Sequence, residues 1–141
     1  MRNVFDQYVQ PENRLTHALM STLANDRRLI RPFIHWLGFR NVPPAKAIRI
    51  GEQQAPGLEA ESDKEESEGL PDGCFFDSEG WALLVESKIQ AGLSVSQLKR
   101  HRRAAARYGY ASPHILVLAV DDYGSRLKQG ATFKPWREVF N

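Results

Sequence analysis

The stretch Pro71-Asp72-Gly73-Cys74-Phe75-Phe76-Asp77-Ser78-Glu79-Gly80-Trp81-Ala82-Leu83-Leu84-Val85-Glu86-Ser87-Lys88 decides the fold. Cys74 to Phe76 and Trp81 to Val85 are short apolar runs, and Asp77-Ser78-Glu79-Gly80 between them is turn-forming. A three-residue loop Ser78-Glu79-Gly80, with Gly80 in the left-handed region, pairs Asp77 with Trp81. That register sets Phe75 against Leu83 and Asp72 directly across from Glu86, with side chains about 5 Å apart. Strand side chains alternate with period two, so Glu86 and Lys88 share a face. Ala82-Leu83-Leu84-Val85 reads as a central strand buried on both faces. Charges at the end of such a strand are costly unless they pair or bind something.

Two carboxylates and an ammonium at one spot are the parts that phosphodiester hydrolysis requires. Carboxylates hold a hard divalent cation, the cation offsets developing negative charge, and the ammonium orients or activates water. Taken alone, Pro-Asp is an ordinary turn dipeptide and Glu-x-Lys an ordinary solvated charge pair; the buried strand before Glu86 is what favours the chemical reading.

Outward from the hairpin, Pro11 opens a first helix with Leu15, Ala18, Leu19, Thr22 and Leu23 on its apolar face. Asn25-Asp26 breaks it. Helical spacing resumes at Leu29, Ile30, Phe33, Ile34 and Leu37, with Pro32 expected to kink or divide that stretch. Ala47 to Gln53 reads as a strand. Downstream, Ser94-Val95-Ser96-Gln97 resembles a capping box, opening a helix to Tyr108 that stops at Gly109. Ile115 to Val120 is another apolar strand, which Asp121-Asp122-Tyr123-Gly124 ends. Ala131 to Lys134 reads as a last short strand, and Pro135-Trp136 opens a helix. This order predicts an α/β fold: a mixed central sheet flanked by helices on both faces.

The 141 residues suit one domain, long enough to bury about 70% of the unfolded surface. No apolar run approaches the ~20 residues of a membrane span, and no signal-peptide pattern is read at Met1 to Asp6. Cys74 is the one cysteine, so an intramolecular disulfide and a Cys-rich zinc site are excluded; it is expected in the core of a cytoplasmic protein. The net charge of +2 conceals an asymmetry. Leu58 to Glu68 holds six acids and one base, leaving +7 on the rest of the chain. A basic body with an acidic, mobile surface loop at 56–69 fits a polyanion binder.

On the Ser94 helix, Lys99, Arg100, Arg102, Arg103 and Arg107 fall within an arc of about 160°. Gln97, Leu98, His101, Ala105 and Tyr108 take the opposite side, and Gln97 and His101 point toward the strand of Glu86. Lys99, Arg100, Arg103 and Arg107 are the candidate phosphate contacts. His17, His35 and His114 show no ligand spacing and are expected as packing or surface residues. No phosphate-binding glycine loop, serine-hydrolase elbow or zinc signature occurs.

Asp72, then Glu86-Ser87-Lys88, then Gln97 on the next helix, with Glu12 on the first, resembles the PD-(D/E)xK nuclease superfamily of restriction-endonuclease-like fold. The resemblance runs from about Pro11 to Trp136. It implies that Asp72 and Glu86 ligate Mg²⁺ (with Mn²⁺ as a substitute) and that the Ser87 carbonyl is a third ligand. It further implies that Lys88 positions the hydrolytic water, that Glu12 adds a carboxylate directly or through water, and that Gln97 orients groups around the metal or phosphate. A RecB-like subset carries Gln-x-x-x-Tyr, where this chain has His101 four residues after Gln97. The expected substrate is nucleic acid, DNA ahead of RNA, with no membrane partner and with a homodimer or a partner protein both open. The rival is a catalytically inactive nucleic-acid-binding or assembly module of the same fold.

Overall fold

A computed structural model describes residues 11–57, 70–88, 94–120 and 130–140. The acidic segment 58–69 and the Asp121 to Gly124 strand stop lie outside them. The elements in order are α1 (Pro11–Asn25), a 3₁₀ turn (Arg27–Leu29), α2 (Ile30–Trp36), a second 3₁₀ turn (Ala45–Ala47), β1 (Arg49–Glu52) and β2 (Gly73–Phe76). Then come β3 (Ala82–Lys88), α3 (Val95–Arg107), β4 (His114–Ala119), β5 (Thr132–Pro135) and α4 (Trp136–Val139). The five strands form one mixed sheet in the order β1-β2-β3-β4-β5. β1, β2 and β3 pair antiparallel, whereas β4 runs parallel to β3 and β5 parallel to β4.

Strand alternation divides the core in two. Phe75, Leu83, Val85, Leu116 and Leu118 pack with Leu19, Met20 and Leu23 of α1, Ile30 and Ile34 of α2, and Trp136. Cys74, Phe76, Ala82, Leu84, Ile115 and Val117 pack with Leu98 and Ala105 of α3 and with Tyr110. Cys74 is fully buried, as expected of a small core residue. The mixed α/β sheet predicted from the order of elements is present.

The hairpin has the predicted register. Phe75 pairs with Leu83 and Gly73 with Val85, while Asp77 N–H donates to the Trp81 carbonyl at 3.0 Å. Asp77 Oδ1 also accepts from the amides of Glu79 and Trp81, at 2.9 and 2.8 Å, which closes the loop. Gly80 sits at φ +96°, and among the described residues only the Gly109 carbonyl is near its missing Cβ, at 3.6 Å. Gly80→Ala therefore meets backbone strain rather than a clash. It should cost about 1–2 kcal/mol, read as a lower denaturation midpoint with an unchanged m-value.

Several boundaries differ from the sequence reading. β1 begins at Arg49 rather than Ala47, because Ala45–Ala47 forms a 3₁₀ turn whose carbonyls are drawn toward Arg27. The Arg27 guanidinium donates to the Ala45 carbonyl and to the Ile48 carbonyl. The helical stretch is divided ahead of Pro32, not by it. Asp26 caps the 3₁₀ turn, and Pro32 occupies the first turn of α2, where a missing N–H sacrifices no helical bond. Tyr108, expected on the buried side of α3, is 47% exposed. The helix ends at Arg107, Gly109 turns the chain at φ +94°, and Tyr110 is buried instead, donating to the Asp77 carbonyl at 2.7 Å. β4 starts one residue early at His114 and leaves Val120 exposed, and β5 is shifted by one residue to end on Pro135.

The remaining histidines are structural. His17 Nδ1 donates to Glu52 at 3.0 Å, tying α1 to β1, and Ser21 Oγ lies 3.3 Å from its Nε2. His114 packs against Phe39 and Trp81, and burial lowers its pKa; His35 bonds the Phe39 carbonyl.

Candidate active site

The Gly73–Val85 rung is followed outward by Asp72 and Glu86, on the face that carries Cys74 and Leu84. Asp72 is held in register from the other side by the Gln53 N–H, which donates to its carbonyl at 3.0 Å. The Asp72 Oδ2 then accepts the Ser87 amide at 2.7 Å. Asp72 thus bridges onto β3 one residue past Glu86.

Glu86 is 3% exposed, and its charge is met by three partners. Oε1 accepts from Gln97 Nε2 at 2.7 Å and is ion-paired with Lys88 Nζ at 3.1 Å; Oε2 accepts from His101 Nε2 at 2.9 Å. A carboxylate only accepts, so His101 carries a proton on Nε2. Gln97 and His101 sit one turn apart at the start of α3, which explains how one helix reaches both oxygens. The cap that starts this helix is half of a capping box. Ser94 Oγ accepts the Gln97 amide at 3.2 Å, while the Gln97 side chain donates to Glu86 rather than serving the cap.

Asp72 is less well compensated. Burial, then repulsion from Glu86, raises its pKa from 3.8 to about 7, against the Ser87 amide, Lys88 and His101, which lower it. Among the described residues, its carboxylate accepts one hydrogen bond, from Ser87. Two carboxylates therefore face one ammonium, and among the described residues one Asp72 carboxylate oxygen has no hydrogen-bond partner.

Asp72, Glu86, Lys88 and Gln97 are brought together as the sequence predicted; of the Ser87 backbone, expected to offer its carbonyl, it is the amide that meets Asp72. The Ser87 side chain points to the opposite face, where its Oγ accepts from Trp136 Nε1 at 3.1 Å. Glu12 lies half-buried in the first turn of α1, and its carbonyl accepts from the Thr16 hydroxyl at 3.0 Å. Lys99, Arg100, Arg103 and Arg107 are exposed on α3, away from buried Leu98, His101 and Ala105. His101 was not among the predicted site residues, though its spacing from Gln97 was the signal that would have included it. Trp136 had no such signal, being 49 residues from Ser87.

Among the described residues no group of three His, Cys, Asp or Glu side chains is gathered to hold a metal. The open oxygen of Asp72 and the uncompensated charge of the pair nonetheless suit a cation of the magnesium type, which uses one or two carboxylates and keeps water and phosphate as its other ligands. No described helix is long and apolar enough to cross a membrane. No family model matches the chain. No curated protein matches it. No solved structure matches it.

Proposed function

We propose that this chain is a metal-dependent nuclease of the PD-(D/E)xK kind, hydrolysing phosphodiester bonds in nucleic acid, DNA foremost, with Mg²⁺ or Mn²⁺. The observation that carries the reading is the meeting of Asp72 and Glu86 on one face, with Lys88 Nζ 3.1 Å from Glu86. Asp72 and Glu86 would hold the cation, with the Ser87 carbonyl beside them. A bound cation supplies Lewis-acid stabilisation of charge on the phosphoryl oxygens. Lys88 orients the attacking water and meets the same charge, Gln97 fixes Glu86, and Glu12 contributes a further carboxylate. Exposed Lys99, Arg100, Arg103 and Arg107 on the outer side of α3 supply phosphate contacts to the same substrate.

The test is cleavage of single- and double-stranded DNA and RNA by the purified protein with Mg²⁺ or Mn²⁺. Cleavage that disappears in EDTA supports the nuclease. Salt-dependent binding without cleavage, with any associated chain present, would assign the binding or assembly module instead. Replacing Arg100 and Arg103 together by alanine should weaken binding and reduce the slope of log K against log salt by about two, leaving turnover at saturating substrate intact. An unchanged slope in a salt titration would remove α3 from the interface.

A further inference from the structure

Glu86 is held by two hydrogen-bond donors in addition to its ion pair with Lys88. Gln97 donates to Oε1 at 2.7 Å, Lys88 Nζ is ion-paired with the same oxygen at 3.1 Å, and His101 donates to Oε2 at 2.9 Å. A carboxylate has about four lone-pair sites, two on each oxygen. Gln97 then uses one site of Oε1 and the Lys88 ammonium lies against that oxygen, while Oε2 keeps one site open. The carboxylate is also fixed in plane, since Gln97 and His101 grip its two oxygens from adjacent turns of α3, and Glu86 and His101 are 3% and 2% exposed.

We propose that the Gln97–His101 clamp makes Glu86 a one-oxygen ligand and thereby sets the site to select small octahedral cations over calcium. This rests on the metal-dependent reading above. Magnesium-type ions accept a single oxygen from a carboxylate and complete an octahedron with water or phosphate. Calcium takes six to eight oxygens and gains from carboxylates that chelate through both. Glu86 cannot chelate while Gln97 bonds Oε1 and the Lys88 ammonium, 3.1 Å from that oxygen, repels a second cation there. His101 prevents the carboxylate from swinging to present another edge. His101 is thus a positioning residue, acting through Glu86 without touching the cation.

The experiment measures Mn²⁺ and Ca²⁺ affinities of the full chain by calorimetry, with Asp72→Asn supplying the background from the acidic segment. The variants are Gln97→Leu/His101→Leu, which removes both clamp donors, and His101→Gln, which keeps a donor near the Nε2 position. In the wild type, Asp72-dependent binding should favour Mn²⁺. In the double variant the Mn²⁺/Ca²⁺ affinity ratio should fall by about tenfold, the scale on which outer-shell partners act on metal sites. His101→Gln should retain the wild-type ratio, and its retained melting transition guards against a folding defect at this buried position. Affinities that fall in parallel, with the ratio unchanged, would overturn the clamp as a selector while leaving the metal site intact. No Asp72-dependent binding in the wild type would overturn the metal reading itself, and the selector with it.

Discussion

Lys88→Ala is expected to lower phosphodiester cleavage by about a hundred- to thousandfold while leaving nucleic-acid affinity nearly unchanged. The Lys88 side chain is 13% exposed, so its ammonium acts from a largely dry position 3.1 Å from Glu86. Removing one donor preorganised toward developing charge typically costs a factor of that size. On the binding side, one cation among many phosphate contacts alters the salt slope by about one. A confounding effect has a known sign. Lys88 is one of the groups that hold the Asp72 pKa down, so its loss raises that pKa further above about 7 and leaves less ionised Asp72 at neutral pH. Single-turnover rates should therefore be compared above pH 8 as well as at pH 7. Loss at both pH values assigns the defect to the reacting centre. Full recovery at high pH would reduce Lys88 to a charge partner of the carboxylates.

How far the site could be read from sequence follows from how local its determinants are. The hairpin register was legible because one glycine and one loop length fix it, and alternation then carries Asp72 and Glu86 to facing positions. Gln97 and His101 were legible as a pair because helical spacing places both on the sheet-facing side of α3. What escaped depends on contacts between distant segments. Arg27 drawing in the carbonyls before β1, Tyr110 reaching Asp77 and Trp136 reaching Ser87 join residues 18 to 49 positions apart, with no periodic signal to announce them. The number of donors on Glu86 was likewise hidden. Spacing gives the face of a residue but not which of two carboxylate oxygens its neighbours take. The same limit explains Tyr108: periodicity continues past the point where Gly109 ends the helix.

Asp72→Asn should produce the largest change in stability, and that change should shrink when metal is added. The folded-state pKa of Asp72 is raised from 3.8 to about 7, so between those values the folded protein holds a proton that the unfolded chain releases. Its contribution is therefore most favourable below about pH 4. It is lost progressively as pH rises, and the full penalty is present above about pH 7. At roughly 1.4 kcal/mol per pH unit, that penalty is on the order of 4 kcal/mol, shared with Glu86 through their repulsion. Asparagine removes the charge but keeps an oxygen for the Ser87 amide. In EDTA at pH 8 the variant should melt several degrees above the wild type, and the gap should close toward pH 4. Adding Mn²⁺ should narrow the gap. At a concentration 100 times its Kd, a ligand confined to the folded state adds about 2.7 kcal/mol to the wild type, and the variant should gain almost none. A wild type more stable than Asp72→Asn in EDTA at pH 8 would mean that the carboxylate pair carries no unrelieved repulsion. Equal Mn²⁺ shifts in both proteins would put the cation elsewhere, with the acidic stretch from Glu59 to Glu68 the first place to look.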